Sequence, residues 1–321
     1  MSDPIVVGVD IGGTKIASGL VDSSGTIKCQ KRVPMPTGDA AAALAAVRSA
    51  IDSVCAEGGA DARLAISAIG LCAPGPLDPN TGIILNPPNL PAWRNFPLAA
   101  EIAKSYSVPV HLDNDGNAAA LAEAIWGAGR GYRNVFYATI GTGIGTGIVF
   151  DRHIYHGRTG AAAEGGHMTI DYRGPRCACG KLGCIEALAS GTAIARRASE
   201  AIAAGRSSSI VGQASDEPIT AESVGRAYGE GDPLAKEILE ETAMFVSVWL
   251  GNIIDLLEPD AIVIGGGAAP LLEPFFEDIR GKIAAWSVNP RSHEIPLLHA
   301  HYGADAGIAG GAALCLQNLR L

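Results

Sequence analysis

The chain has 321 residues, 48% of them apolar and 18% charged, with a formal net charge of −9. That length allows two domains with ample buried core, and the balance is that of a globular chain, not a disordered one. The acidic excess excludes a broad basic face for nucleic acid or anionic membrane; a small anion such as a nucleotide needs only local donors.

Met1-Ser2-Asp3-Pro4 lacks the basic n-region of a signal peptide. The best apolar candidate for a membrane span, Met244 to Leu257, is broken by Asn252 and Asp255. Three of the 7 cysteines crowd one short segment, and Cys29, Cys55, Cys72 and Cys315 are scattered among apolar neighbours. This usage predicts a reducing compartment, most simply the cytoplasm.

Ile5 to Asp10 is a short apolar strand running into Ile11-Gly12-Gly13-Thr14-Lys15, and a second apolar strand, Ile16 to Val21, follows at once. Strand, glycine turn, strand is a hairpin, so neither the Rossmann nor the Walker strand-to-helix fingerprint is met. Backbone N–H groups at such a tip form an anion nest, to which Thr14 adds a hydroxyl and Lys15 a positive charge. Asp10, at the strand end, would face a magnesium ion through water. Ala40 to Cys55 carries Leu44, Val47, Ile51 and Val54 at helical spacing, with Asp39 as N-cap and Gly58-Gly59 as stop.

Leu64 to Leu71 reads as a buried strand that enters the rigid turn Cys72 to Asp78, which contains Gly75. The Pro-rich loop Asn86 to Trp93 is too long for a mere connector; Asn89 would offer amide hydrogen bonds to hydroxyls and Trp93 would wall a pocket. Val108 to Leu112 is a further strand, ending in Asp113-Asn114-Asp115-Gly116-Asn117 where a helix begins. Polar side chains at such a seam project into a ligand crevice in open α/β sheets.

Val135 to Ile140, the turn Gly141 to Gly147 with Thr142 and Gly143, and the strand Ile148 to Phe150 repeat the opening pattern about 130 residues later. The repetition predicts an internal duplication, with two glycine hairpins facing across a cleft that would clamp a polyphosphate.

Next come Glu164-Gly165-Gly166-His167 and Cys177-Ala178-Cys179-Gly180-Lys181-Leu182-Gly183-Cys184-Ile185-Glu186. One imidazole and three thiols are a closed tetrahedral set for zinc, so His167, Cys177, Cys179 and Cys184 are read as a structural Zn²⁺ site that fixes Glu164 and Glu186 beside the loop. Ala189 to Ala204 is read as a helix with Ser190 or Thr192 as cap, and Gly205 to Pro218 as a mobile surface loop. Leu234 to Leu257 is a long apolar helix. The strand Ala261 to Ile264 ends in Gly265-Gly266-Gly267, where a nucleobase or ribose would lie against backbone. Pro296 to His301 is a final strand, and Asp305 caps a last helix of small residues suited to packing back on the N-terminal lobe.

Together these stretches resemble the ROK family (repressor, open reading frame, kinase) of bacterial sugar kinases, and within it the glucokinases. The anchors are Asp10-x-Gly12-Gly13-Thr14-Lys15, Asn114-Asp115, Glu164-x-x-His167 and Cys177-x-Cys179-Gly180-x-x-Gly183-Cys184-x-Glu186. Gly116 departs from the family pattern, where a larger residue is expected.

The resemblance implies an α/β fold of two ribonuclease-H-like lobes, as in actin-like ATPases, with ATP in an interdomain cleft. The lobes are expected at residues 1–117, completed by the C-terminal helix 305–321, and at residues 118–304. Asp115 is implied as catalytic base, and Gly75, Asn89, Asn114, Glu164, His167 and Glu186 as the sugar site. His167 would bind zinc through one nitrogen and a sugar hydroxyl through the other. Asp10, Gly12, Gly13, Thr14, Lys15, Thr142, Gly143, Gly265, Gly266 and Gly267 would hold ATP and its Mg²⁺.

A carboxylate in hydrogen-bond reach lets a sugar hydroxyl attack the γ-phosphoryl group, and positioning with charge neutralisation does most of the rest. Glucose is the expected substrate, with N-acetylmannosamine, N-acetylglucosamine and fructose as rivals; nothing in the residues fixes the substituent at carbon 2. A sugar-sensing repressor would need a helix-turn-helix ahead of Asp10, where there is no room for one, and a non-catalytic sugar binder would not need Asp115 with a complete hairpin. Family resemblance favours a homodimer or homotetramer.

Overall fold

A computed structural model describes residues 4–59, 66–210 and 218–318. Its strands are β1 (Ile5–Ile11), β2 (Lys15–Val21), β3 (Ile27–Pro34), β4 (Ile66–Ala73), β5 (Leu77–Asp78), β6 (Ile83–Ile84), β7 (Val110–Asn114), β8 (Asn134–Ile140), β9 (Ile144–Phe150), β10 (His153–Ile154), β11 (Ala261–Gly265) and β12 (Leu297–His299). The two 5-stranded sheets have orders β3-β2-β1-β4-β7 and β10-β9-β8-β11-β12, and β5 pairs β6. Each large sheet places a three-strand meander beside two later strands in the same order, which is the topology expected of a duplicated unit.

By contacts the chain divides into Met1–Tyr137, Gly147–Ala163 and His301–Leu321 as one unit, and Ala138–Thr146 and Glu164–Ala300 as the other. The boundary expected after residue 117 falls inside the helix Asp115–Ile125, and the first unit takes in that whole helix.

In the first unit, β1 pairs antiparallel with β2 and parallel with β4, which in turn runs parallel to β7. Strand side chains alternate between faces. Val7 and Val9 therefore join Leu44, Val47, Ile51 and Val54 of the helix Ala40–Glu57 in one core. Val6 joins Ile308, Ala312 and Cys315 of the helix Ala306–Asn318 in another. Asp39 caps the first of these helices, its carboxylate accepting from Ala41 N at 2.9 Å.

The last helix lies directly on the sheet because both surfaces are glycine there. A Cβ on Gly70 would fall 1.7 Å from Gly311 O, and one on Gly8 1.9 Å from Ile308 O. That helix begins at Ala306, after a 3₁₀ turn Gly303–Asp305. Asp305 directly precedes this helix, and its carboxylate pairs with Arg32 at 2.5 Å.

In the second unit the helix Pro233–Leu257 starts with Asp232 accepting from Ala235 N at 2.9 Å and with Pro233 in its first turn. Its buried face includes Leu239, Val246, Trp249, Leu250 and Ile254. Each such side chain stabilises the unit by about 1.5–3 kcal/mol. A short helix, Ile185–Ala189, precedes the one expected over residues 189–204, which is Gly191–Ala203. Ser190 between them is extended, φ −70° and ψ 164°, and its hydroxyl caps the second by accepting from Ala193 N. Residues 211–217 of the expected mobile loop lie outside the described residues. Among the described residues, no helix is long and apolar enough to cross a membrane.

Candidate active site

The β1–β2 turn in the first unit is closed by Gly12 N donating to Lys15 O at 2.9 Å, leaving Thr14 and Lys15 exposed at the tip. The 86–93 loop reaches this tip, since a Cβ on Gly13 would lie 3.1 Å from Asn89 O. Asn89 is exposed there. Trp93 is a core residue, 1% exposed, stacked on Phe96 with ring centroids 5.4 Å apart. One edge of it borders a recess shared with Gly13, Met35 and Asn89. Asp10 sits deeper, beside Cys72 and against Gly307. Burial pushes its carboxyl above the usual range, and the Lys15 ammonium pulls it back.

At the end of β7, Asn114 is the N-cap of the helix Asp115–Ile125, its Oδ1 accepting from Gly116 N at 2.9 Å and Asn117 N at 3.4 Å. Capping commits the amide oxygen and orients Nδ2, which lies beside Gly75: a Cβ there would be 3.6 Å from it. Asp115, the first helical residue, is exposed, and its Oδ1 accepts from Gly116 N at 2.8 Å.

Beneath this turn lies a buried polar layer that has no local sequence signal. Asp113, 3% exposed, accepts from Asn114 N at 2.7 Å and from Asn117 Nδ2 at 3.1 Å on Oδ1. Its Oδ2 lies 2.6 Å from His156 Nε2. The hydrogen bond to Asp113 raises the His156 pKa, with burial opposing. Asp113 had been visible only as a turn residue, and its partner is 43 residues away, where no local pattern points to it.

In the second unit, the turn after β8 is tied to the helix Gly191–Ala203 by Gly191 N donating to Gly141 O at 2.7 Å and Thr192 Oγ1 to Thr142 O at 2.8 Å. Thr192 thus braces the turn instead of capping its helix. Gly265, Gly266 and Gly267 end β11 beside the end of β8. Gly266 has φ +95°, and Ala268 N donates to Ile140 O at 2.8 Å. The structure therefore brings Thr142 and Gly143 together with the Gly265–Gly267 triplet.

His167 ends a 3₁₀ turn, Gly165–His167, that is pinned by Gly165 N to Thr146 Oγ1 at 2.8 Å and Trp249 Nε1 to Gly165 O at 3.1 Å. Glu164 stands exposed at its start. Glu186 Oε2 accepts from Ile144 N at 3.0 Å, and its Oε1 lies 3.8 Å from His167 Nδ1. Glu186 thus joins the second glycine turn to the Cys/His loop.

The donor atoms of His167, Cys177, Cys179 and Cys184 all lie within 4.8 Å of one another. Zn–S bonds of about 2.3 Å and a Zn–N bond of about 2.0 Å at tetrahedral angles set ligand atoms roughly 3.5–3.8 Å apart. Cys177 Sγ to His167 Nδ1 and Cys179 Sγ to Cys184 Sγ are both 3.6 Å. Burial pushes the Cys177 thiol up to about 12 and Cys184 upward, whereas a backbone hydrogen bond from Lys181 lowers Cys179. Three thiols and one imidazole converging at these distances match the closed tetrahedral set that zinc takes, binding the sulfurs as thiolates. Gly183 permits the wrap: its φ is +62°, and a Cβ would lie 1.5 Å from Asp171 O.

Residues 6–318 match the model of the ROK family. A glucokinase of Halalkalibacterium halodurans is 35% identical over 320 residues, 99% of this chain and 96% of that protein. The structure of a ROK family glucokinase from Streptomyces griseus, in complex with glucose and AMPPNP, is similar with a TM-score of 0.83 at 33% identity, covering 98% of this chain and 100% of that one. A ROK hexokinase from Thermus thermophilus gives a TM-score of 0.81 at 34% identity, covering 98% of each chain. A match that runs through the hairpins, the Asn114-Asp115 turn and the Cys/His loop alike leaves one conclusion: the chain belongs to the ROK family.

Proposed function

We propose that this chain is an ATP-dependent hexose kinase of the glucokinase type, transferring the γ-phosphoryl group of ATP to the 6-hydroxyl of glucose. The observation that carries the reading is the exposed Asp115 carboxylate, presented by a capped and buried-braced turn in a chain that matches glucokinases along its whole length. Asp115 would accept the proton of the 6-hydroxyl as that oxygen attacks phosphorus, and the ADP oxygen would leave with the bonding pair. Asn114 Nδ2, its oxygen spent on the cap, would donate to a sugar hydroxyl near Gly75 and Asn89. Glu164, Glu186 and the outer nitrogen of His167 would receive or donate to further hydroxyls.

Gly12, Gly13, Thr14 and Lys15, and likewise Thr142, Gly143 and Gly265 to Gly267, would offer N–H groups and charge to the nucleotide. Mg²⁺ accompanying ATP would neutralise phosphoryl oxygens, and Asp10 is the carboxylate that would face it. Zn²⁺ held by His167, Cys177, Cys179 and Cys184 would supply a structural cross-link with no open coordination position. Assembly as a homodimer or homotetramer belongs to the same reading and is read out by light scattering.

A coupled ADP-release assay over glucose, mannose, fructose, N-acetylmannosamine and N-acetylglucosamine tests the proposal. Glucose should give the highest kcat/KM. An N-acetylhexosamine preferred over glucose would reassign the substrate, and no ADP release with any sugar would reject the kinase reading.

A further inference from the structure

A pocket of about 580 Å³ lies wholly in the first unit, away from the turns described above. Its size is that of a small-molecule site. Ser23, Trp126 and Tyr132 border it, with Arg130, Arg133, Asp151 and Arg152. Three guanidinium groups thus face one carboxylate, in a chain whose net charge is −9. Asp151 is already held by Arg133 Nε at 2.7 Å, and this exposed pair leaves the local charge positive. Among the described residues, neither Arg130 nor Arg152 has a carboxylate partner.

The backbone points the same way. Asp151 and Arg152 form the two-residue turn between β9 and β10, with φ of 49° and 64°. A turn with both residues left-handed strongly favours Asn-Gly. Arginine in the second place is strained, yet it is what puts a third guanidinium on the pocket wall.

We infer that this pocket binds a phosphorylated small molecule, its phosphoryl dianion on Arg130, Arg133 and Arg152 and its carbon skeleton against Trp126 and Tyr132. Guanidinium forks match phosphate oxygens bidentately, and an indole face suits the C–H face of a sugar ring. Trp126 is fixed for this role, its Nε1 donating to Ser23 O at 3.1 Å.

Thermal melts of the full chain in inorganic phosphate, in glucose 6-phosphate and in sodium chloride of matched ionic strength test it, with parent, Arg130→Ala and Arg152→Gly compared. Both phosphate probes should raise the parent Tm by several degrees at saturating concentration, chloride should not, and each variant should lose most of the rise. A larger rise with glucose 6-phosphate than with phosphate assigns the skeleton to the aromatic wall; equal rises assign recognition to the phosphoryl group alone. Arg152→Gly should melt no lower than the parent in chloride, because the turn relaxes. Equal rises with chloride, or rises that persist in both variants, would overturn the site. Glucose 6-phosphate would also occupy the hexose site of the proposed kinase, so the inorganic phosphate arm, with its loss in both variants, decides for this pocket whether or not the chain phosphorylates a hexose.

Discussion

Replacing His156 tests how the Asn114-Asp115 turn is held. The Asp113 side chain is 4% exposed and the His156 side chain 30%, and their 2.6 Å contact occupies Asp113 Oδ2. His156→Leu would leave that oxygen buried without its partner, at a loss of about 1–3 kcal/mol. At about 2–4 °C per kcal/mol for a domain the size of the first unit, the Tm of that unit should fall by several degrees. His156→Gln keeps an N–H donor at similar reach and should recover most of the loss, but it cannot titrate. Asp113 holds His156 above its ordinary 6.5, so folding favours the imidazolium. A raised folded pKa contributes stability that is full below the unfolded value and lost as pH rises through the folded one. The Tm gap between wild type and His156→Gln should therefore be wider near pH 6 than near pH 8.5, in melts at constant ionic strength. A gap that is flat, or wider at the higher pH, would refute the ion-pair account.

Three further outcomes follow from the Cys/His loop and the sheet. Chelation at neutral pH should lower the Tm and abolish hexose binding together, and metal analysis of the purified chain should find one zinc per chain; a metal-free chain that binds hexose normally would contradict the four-ligand site. Gly183→Ala, whose Cβ would lie 1.5 Å from Asp171 O at φ +62°, should release zinc at chelator concentrations the parent withstands. Gly70→Ala would drive a Cβ to 1.7 Å from Gly311 O, so the last helix must lift; a loss of about 1–3 kcal/mol or more in chemical denaturation is expected.

Much of this was legible because the signals are local. Asp39, Asn114 and the Gly/Thr turns announce caps and hairpins within a few residues, and the Cys177-to-Cys184 spacing encodes its own wrap. The resemblance of the β1–β2 and β8–β9 hairpins foretold the matching strand orders of the two sheets. What was missed is non-local or mixed in pattern. β3 is an edge strand whose Lys28, Gln30 and Arg32 dilute its apolar signal. The helices Leu98–Ala103 and Ala221–Gly229 are too short for a clear period. Ser190 reads as a cap from its place before the helix it starts, whereas Ile185–Ala189 ahead of it is too short for a clear period. The His156–Asp113 bond and the Glu186–Ile144 bond join segments about 40 residues apart, which only the folded chain brings together.

The assignment of Asp115 as the base is tested most directly by Asp115→Asn, measured for glucose binding by calorimetry and for kcat in the presence of ATP. The amide keeps size and hydrogen-bonding capacity but cannot take the proton, so kcat should fall by about 10²–10⁴-fold while the glucose Kd stays within a few-fold of the parent. A variant that turns over at a near-parental kcat, with the loss confined to glucose affinity, would contradict the account.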